Sequence, residues 1–280
     1  MNRQKKEKRI RRGSVFTDLF NAPGYALLLY QSLHPEDQDV QEEDLEIITL
    51  ENRMASGSGG VLGFIKGGKL LVLTEQNIWT SNMLIMAMES LLISYQRYFS
   101  RHDWDLCQSK KVELPIPELY ILYTGERKSR PAELCLSEEF FHGEISSLDV
   151  KAKMIYGGKK GDVINQYVTF TKVLAEQVEL YGKKQKAVTE TIHLCKNKRV
   201  LGEYLEKREG AVMDLLMERY DQEERMRVHD KRIARDSGIR NVVKALKELG
   251  FPCSEIVNII AEQFHLSSDR AEKEVQGYWD

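Results

Sequence analysis

The stretch Val61-Leu62-Gly63-Phe64-Ile65-Lys66-Gly67-Gly68-Lys69-Leu70-Leu71-Val72-Leu73-Thr74 decides the fold. Two short apolar runs, 61–65 and 70–74, flank Lys66-Gly67-Gly68-Lys69. The paired glycines supply the positive φ that a tight hairpin turn demands. Glu75-Gln76-Asn77 follow. Asn82–Phe99 then reads as a helix apolar on most of its circumference, which predicts burial. Upstream, residues 14–33 start at a Ser14 N-cap and read as two short helices broken at Pro23 and Gly24. Residues 34–46 are acidic and read as a surface loop with a helical turn. Downstream, 100–117 is a polar connection, and Leu119–Tyr123 is a continuous apolar strand of the kind found inside a sheet. Val150–Tyr156 alternates apolar residues with lysines and reads as a further strand. From 161 the spacing is helical, over 161–181, 185–197, 199–207 and 210–227, with 228–240 extending the last. Ile239–Leu249 is capped by Gly250 and stopped by Phe251-Pro252. Ser254–Phe264 and Ser267–Trp279 close the chain as a helix pair. The order predicts an α/β core over 14–156, an α-helical C-terminal region over 157–280 and a basic tail over 1–13.

Composition narrows the class. Of 280 residues, 42% are hydrophobic, which is enough for a core and excludes wholesale disorder. Charged residues make up 30%, and the net charge is −2, so the whole chain is not a polycation that coats nucleic acid. No apolar run reaches the length of a bilayer span, and no signal-peptide core follows the basic start. No membrane role and a cytoplasmic location are the expectations. The four cysteines form no metal-ligand spacing and read as reduced structural thiols. Seven basic residues against Glu7 give residues 1–12 a net +6. That tail reads either as a phosphate-binding arm or as a solubilising terminus.

The hairpin ending in Glu75 is where chemistry is expected. Magnesium-dependent nucleases take one carboxylate from the first strand. A second carboxylate and a Lys or Gln come from the next strand, two residues apart and so on one face. The carboxylates hold a hard cation that activates water and stabilises phosphate charge.

Many segments carry a resemblance. They include Val15-Phe16-Thr17-Asp18-Leu19-Phe20, LHPED at 33–37, EEDL at 42–45, TLEN at 49–52 and KLLVLTE at 69–75. Later ones are LPIPELYILYTGERK at 114–128, LSEEFF at 136–141, GDVINQYVTFTKVLAEQV at 161–178 and KAVTETIHLCKNKRVLGEYLEKRE at 186–209. In these, and in their order, the chain resembles the PD-(D/E)XK nuclease family of transposase-type, recombination-promoting nucleases (Rpn). The resemblance implies a restriction-endonuclease-like αββαβ core with a helical C-terminal region. It also implies a DNA substrate, a magnesium-type ion and the endonuclease chemistry of DNA recombination and mobile elements.

The departures from the family fall on the site. Val61 stands where the family's metal-ligating Asp belongs, and a valine ligates no cation. Glu75 remains the second carboxylate. A one-residue deletion leaves either Gln76 or Asn77 in the third position, and a period-2 strand favours Asn77. Met86 and Ser90 replace the family's Arg and Tyr in the following helix. Glu51 is retained as the helix-side carboxylate. These changes predict weak magnesium binding and impaired or absent cleavage. The alternatives are rescue by a carboxylate such as Glu51, and a non-catalytic DNA- or protein-binding relic.

Other features are less specific. The pair spanning 251–279 reads either as a helix-turn-helix or as helices packing on the core or on a second copy of the chain, which would make a homo-oligomer. The charged span from Arg225 to Arg240 reads as phosphate contacts or as a solvated helix face. Tyr95, Tyr98 and Phe99 read as core, and His193 as a structural histidine.

Overall fold

The computed structural model describes residues 14–49, 58–107, 109, 111–144 and 146–279. The basic tail and Glu51 lie outside these residues. The chain forms two compact units, Met1–Tyr220 and Asp221–Asp280.

The first unit is a mixed α/β structure on a six-stranded sheet. Helices α1 (Val15–Phe20) and α2 (Pro23–Leu33) lead through a 3-10 turn into β1 (Glu46–Thr49), β2 (Ser58–Lys66) and β3 (Lys69–Gln76). Then come α3 (Met83–Arg101), β4 (Ile116–Tyr123), β5 (Glu133–Cys135), α4 (Leu136–Phe140) and β6 (Lys151–Ile155). Helices α5 (Val163–Tyr181) and α6 (Gln185–Asn197) follow, and α7 (Gly202–Glu248) runs on into the second unit. The strand order is β1-β2-β3-β4-β6-β5. β1, β2 and β3 pair antiparallel, β3, β4 and β6 parallel, and β5 closes the edge antiparallel to β6.

The expected turn forms. Lys66 pairs with Lys69, and Gly67 and Gly68 take φ of 56° and 78°. From that two-residue turn the register follows by counting, with Val61 opposite Thr74. Both strands run beyond their apolar stretches, so Glu75 and Gln76 belong to β3. β3 is covered on both faces, which is why it reads as an unbroken apolar run. On one face, Leu62, Phe64, Leu71 and Leu73 pack with α1, α2, α5, α6 and the start of α7. On the other, Val61, Leu70, Val72 and Ile121 pack with Met83, Leu84 and Ala87 of α3. Burying each such side chain contributes roughly 1.5–3 kcal/mol.

Several expectations are corrected. β1, β5 and α4 were not anticipated. They are three to five residues long, too short to show a period. α3 is buried on one side only, because a single helix layer covers that face of the sheet; Ile85 and Leu92 are exposed. His193 is exposed and bonds Asn197 of the next turn. The expected break between 199–207 and 210–227 stands as a kink at Arg208, where the backbone is non-helical, whereas 210–227, 228–240 and 239–249 run on as one helix to Glu248. No proline interrupts it, and Gly210 is tolerated. The change to helical sequence at 157 falls inside the first unit. Val163, Val168, Val188 and Ile192 of α5 and α6 share one core with Phe16 and Leu73.

The second unit contains the end of α7 with α8 (Cys253–Gln263) and α9 (Ser268–Gly277). Its core is Ile239, Val243, Ile256, Ile260, Ala271 and Val275. The closing pair therefore packs on the end of α7. Arg225, Arg227, Lys231 and Arg232 are exposed, which is a solvated face. No described helix is long and apolar enough to cross a membrane.

Candidate functional site

Strand periodicity sorts the predicted site residues onto two faces. Glu75 follows Leu71 and Leu73 onto the α5 face, where the Tyr167 hydroxyl donates to its Oε1 at 2.8 Å. Gln76 falls on the α3 face, with its amide 4.0 Å from the Met86 sulfur. Val61 pairs opposite Thr74 and lies on that same α3 face, 3% exposed. Asn77 is exposed, beyond the end of β3. The sheet thus separates Glu75 from Val61 and Gln76.

Glu75 is enclosed. It is 2% exposed. The residue opposite it in β2 is Gly60, and a Cβ there would meet Ser14 Oγ at 2.6 Å and Phe16 Cδ1 at 2.8 Å. Position 60 must be glycine because the N-terminus of α1 sits directly on the strand. At the carboxyl is a cavity of about 30 Å³ lined by Ser14, Val15, Tyr167, Phe170, Leu216 and Arg219. That is the size of a water molecule, far too small for a phosphodiester. Glu75 Oε2 accepts no hydrogen bond from the described residues.

The electrostatics follow from this enclosure. Burial pushes the Glu75 carboxyl above its ordinary value of 4.5; the Arg219 charge and the Tyr167 hydrogen bond pull it back without overcoming burial. Burial, the Glu75 charge and the shared hydrogen bond push the Tyr167 phenol well above its ordinary range. The linkage has a definite sign. Below pH 4.5 the carboxyl is neutral in the folded and unfolded chains alike. Above it the unfolded chain ionises first, so stability falls as pH rises through the folded value. Glu75→Gln keeps an acceptor for Tyr167 and never ionises. In urea melts its stability relative to the wild type should rise from about pH 5 to about pH 8. A flat profile over that range, with the wild type losing its advantage only below about pH 5, would mean a native carboxylate paired to Arg219.

A magnesium ion does not fit these donors. Magnesium takes an octahedral shell of six oxygens, one or two of them from ionised carboxylates and the rest from waters or phosphates, which need room around the carboxylate. Burial disfavours the ionised form of the Glu75 carboxyl, and the charge beside it is that of Arg219. Among the described residues no three His, Cys, Asp or Glu side chains are arranged to hold a metal ion.

Sequence reading missed Tyr167 and Arg219, which lie 92 and 144 positions from Glu75 and carry no local signal. It also missed a polar cluster at the turn end of the sheet. There buried His34 contacts Glu36 at 2.9 Å and Glu118 at 3.1 Å, Tyr120 donates to Glu118, and Lys66 pairs with Asp37. The cluster ties α2 to the sheet. Comparison of the chain with known protein families, with curated proteins and with solved structures finds no match.

Proposed function

We propose that the chain is a member of the PD-(D/E)XK, Rpn-type nuclease family with a restriction-endonuclease-like core, that it no longer hydrolyses phosphodiesters, and that it retains DNA binding. The run β2-β3-α3-β4 behind the helices α1 and α2 supports the αββαβ reading, with β1 as one further strand ahead of the hairpin. The segments quoted above carry the family resemblance, and with it the link to DNA recombination. One observation carries the loss of hydrolysis: Glu75 is enclosed on the α5 face and bonded to Tyr167, while Val61 holds the Asp position on the other face. Without two carboxylates on one side, no cation is held and no water is activated.

The test pairs cleavage with binding. Supercoiled plasmid is incubated with magnesium or manganese and wild type or Glu75→Ala, and a labelled duplex is followed by gel shift. The wild type should leave the plasmid intact and retard the duplex. Nicking by the wild type that disappears in Glu75→Ala contradicts the loss of hydrolysis. A duplex that is not retarded contradicts the DNA reading.

A further inference from the structure

The parallel strands β3 and β4 end side by side, and the loops beyond them build a second, open site. The Thr124 N–H donates to the Gln76 carbonyl at 2.8 Å. A Cβ on Gly125 would collide with the Asn77 carbonyl, so glycine lets the two loops cross in contact. Trp79 and Tyr123 rings meet at 5.4 Å, and Tyr123 meets Tyr156 at 6.1 Å. On this aromatic row sit two guanidinium groups. Arg127 lies 3.3 Å from the Trp79 ring centre and Arg130 5.5 Å from that of Tyr156.

A cavity of about 410 Å³ opens here, lined by Arg127, Lys128, Arg130, Tyr156, Lys172 and the single acid Glu126. Four cations therefore face one carboxylate. None of the four makes a salt bridge with a described residue. α5 separates this basin from Glu75: Tyr167 and Phe170 line the small cavity, whereas Val168 and Lys172 line the basin.

Concentrating unpaired cations in one concavity raises the potential there and favours an anion. The volume is that of a ligand site rather than of an ion. Stacking on Trp79 and Tyr156 restrains the guanidinium groups, so less freedom is lost when they grip a group with several oxygens. The position matches the general placement of ligands at the carboxyl ends of parallel strands.

We propose that this basin is a binding site for a phosphate-bearing ligand, gripped by Arg127 and Arg130 and screened by Lys128 and Lys172. The proposal does not rest on the nuclease-family reading. The phosphate has two possible sources, a free nucleotide or the backbone of a nucleic-acid strand.

Full-length protein is titrated with pyrophosphate, with ATP and with a labelled single strand of about 20 nucleotides. The variants are Arg130→Gln/Lys172→Gln and Lys128→Gln/Lys172→Gln, the second changing only exposed lysines. Lys231→Gln/Lys244→Gln removes the same charge from the second unit, and thermal melts check folding. The expected result is binding that weakens roughly tenfold or more in both basin variants and less than about twofold in the control. Pyrophosphate and ATP bound without the strand make the source a nucleotide, which upholds the basin while contradicting DNA binding. The strand bound with ATP weak makes the source a nucleic-acid backbone. No binding by any probe, or folded basin variants that bind like the wild type, overturns the proposal.

Discussion

Val61→Asp, the change that restores the family's residue, should destabilise the protein by about 3 kcal/mol or more and leave DNA uncut. Val61 is 3% exposed among Val72, Leu84 and Ile121. An aspartate there is either ionised without a partner or held neutral at a cost. Thr74, directly across the pair, offers a single hydroxyl where an ionised carboxylate needs several donors. The loss is a large fraction of a typical folding free energy of about 5–15 kcal/mol. The register gives the second half of the result: residue 61 shares a face with Thr74 and Gln76, so its carboxylate does not join that of Glu75. Urea unfolding reads the stability and plasmid nicking the activity. A well-folded Val61→Asp that nicks DNA with magnesium would show that the strand ends bring both positions to one cation.

Phe16→Ala should cost about 3–5 kcal/mol. Phe16 is fully buried in α1, with ring centres 5.2 Å from Phe20 and 5.5 Å from Tyr167. Removing it opens a cavity between α1, the sheet and α5, at the ring whose hydroxyl holds Glu75. Phe16→Leu retains most of the volume and should lose much less. Leu28→Ala, at a position 48% exposed, should stay within about 0.5 kcal/mol. Denaturant midpoints for the three variants give the ordering. A Phe16→Ala loss below about 1 kcal/mol would mean that α1 is not a fixed wall over Glu75.

Much of the framework is written locally. The Lys-Gly-Gly-Lys turn, the breaks at Pro23 and Gly250-Phe251-Pro252 and the helical spacing of 185–197 stand where the sequence puts them, and that of 161–181 does so to within two residues at its start. Even the separation of Val61 from Glu75 can be counted from the turn, because a two-residue hairpin fixes every pairing behind it. Family position and strand face are different properties, and only the second decides what a side chain meets. The short strands β1 and β5 were hidden because three or four residues carry no alternation. The enclosure of Glu75 was hidden for another reason. Tyr167 and Arg219 reach it through helices folded back from far along the chain. The basin was similarly opaque: no local pattern places Arg127 over Trp79 or Arg130 over Tyr156, because the aromatic partners lie far along the chain.

The most direct measurement is a calorimetric titration of the wild type and Glu75→Gln with manganese, which substitutes for magnesium at oxygen sites. The enclosed carboxyl predicts the same weak, unsaturated heats for both proteins. A saturable site of about millimolar affinity or tighter in the wild type, absent in Glu75→Gln, would make Glu75 a metal ligand and contradict its enclosure.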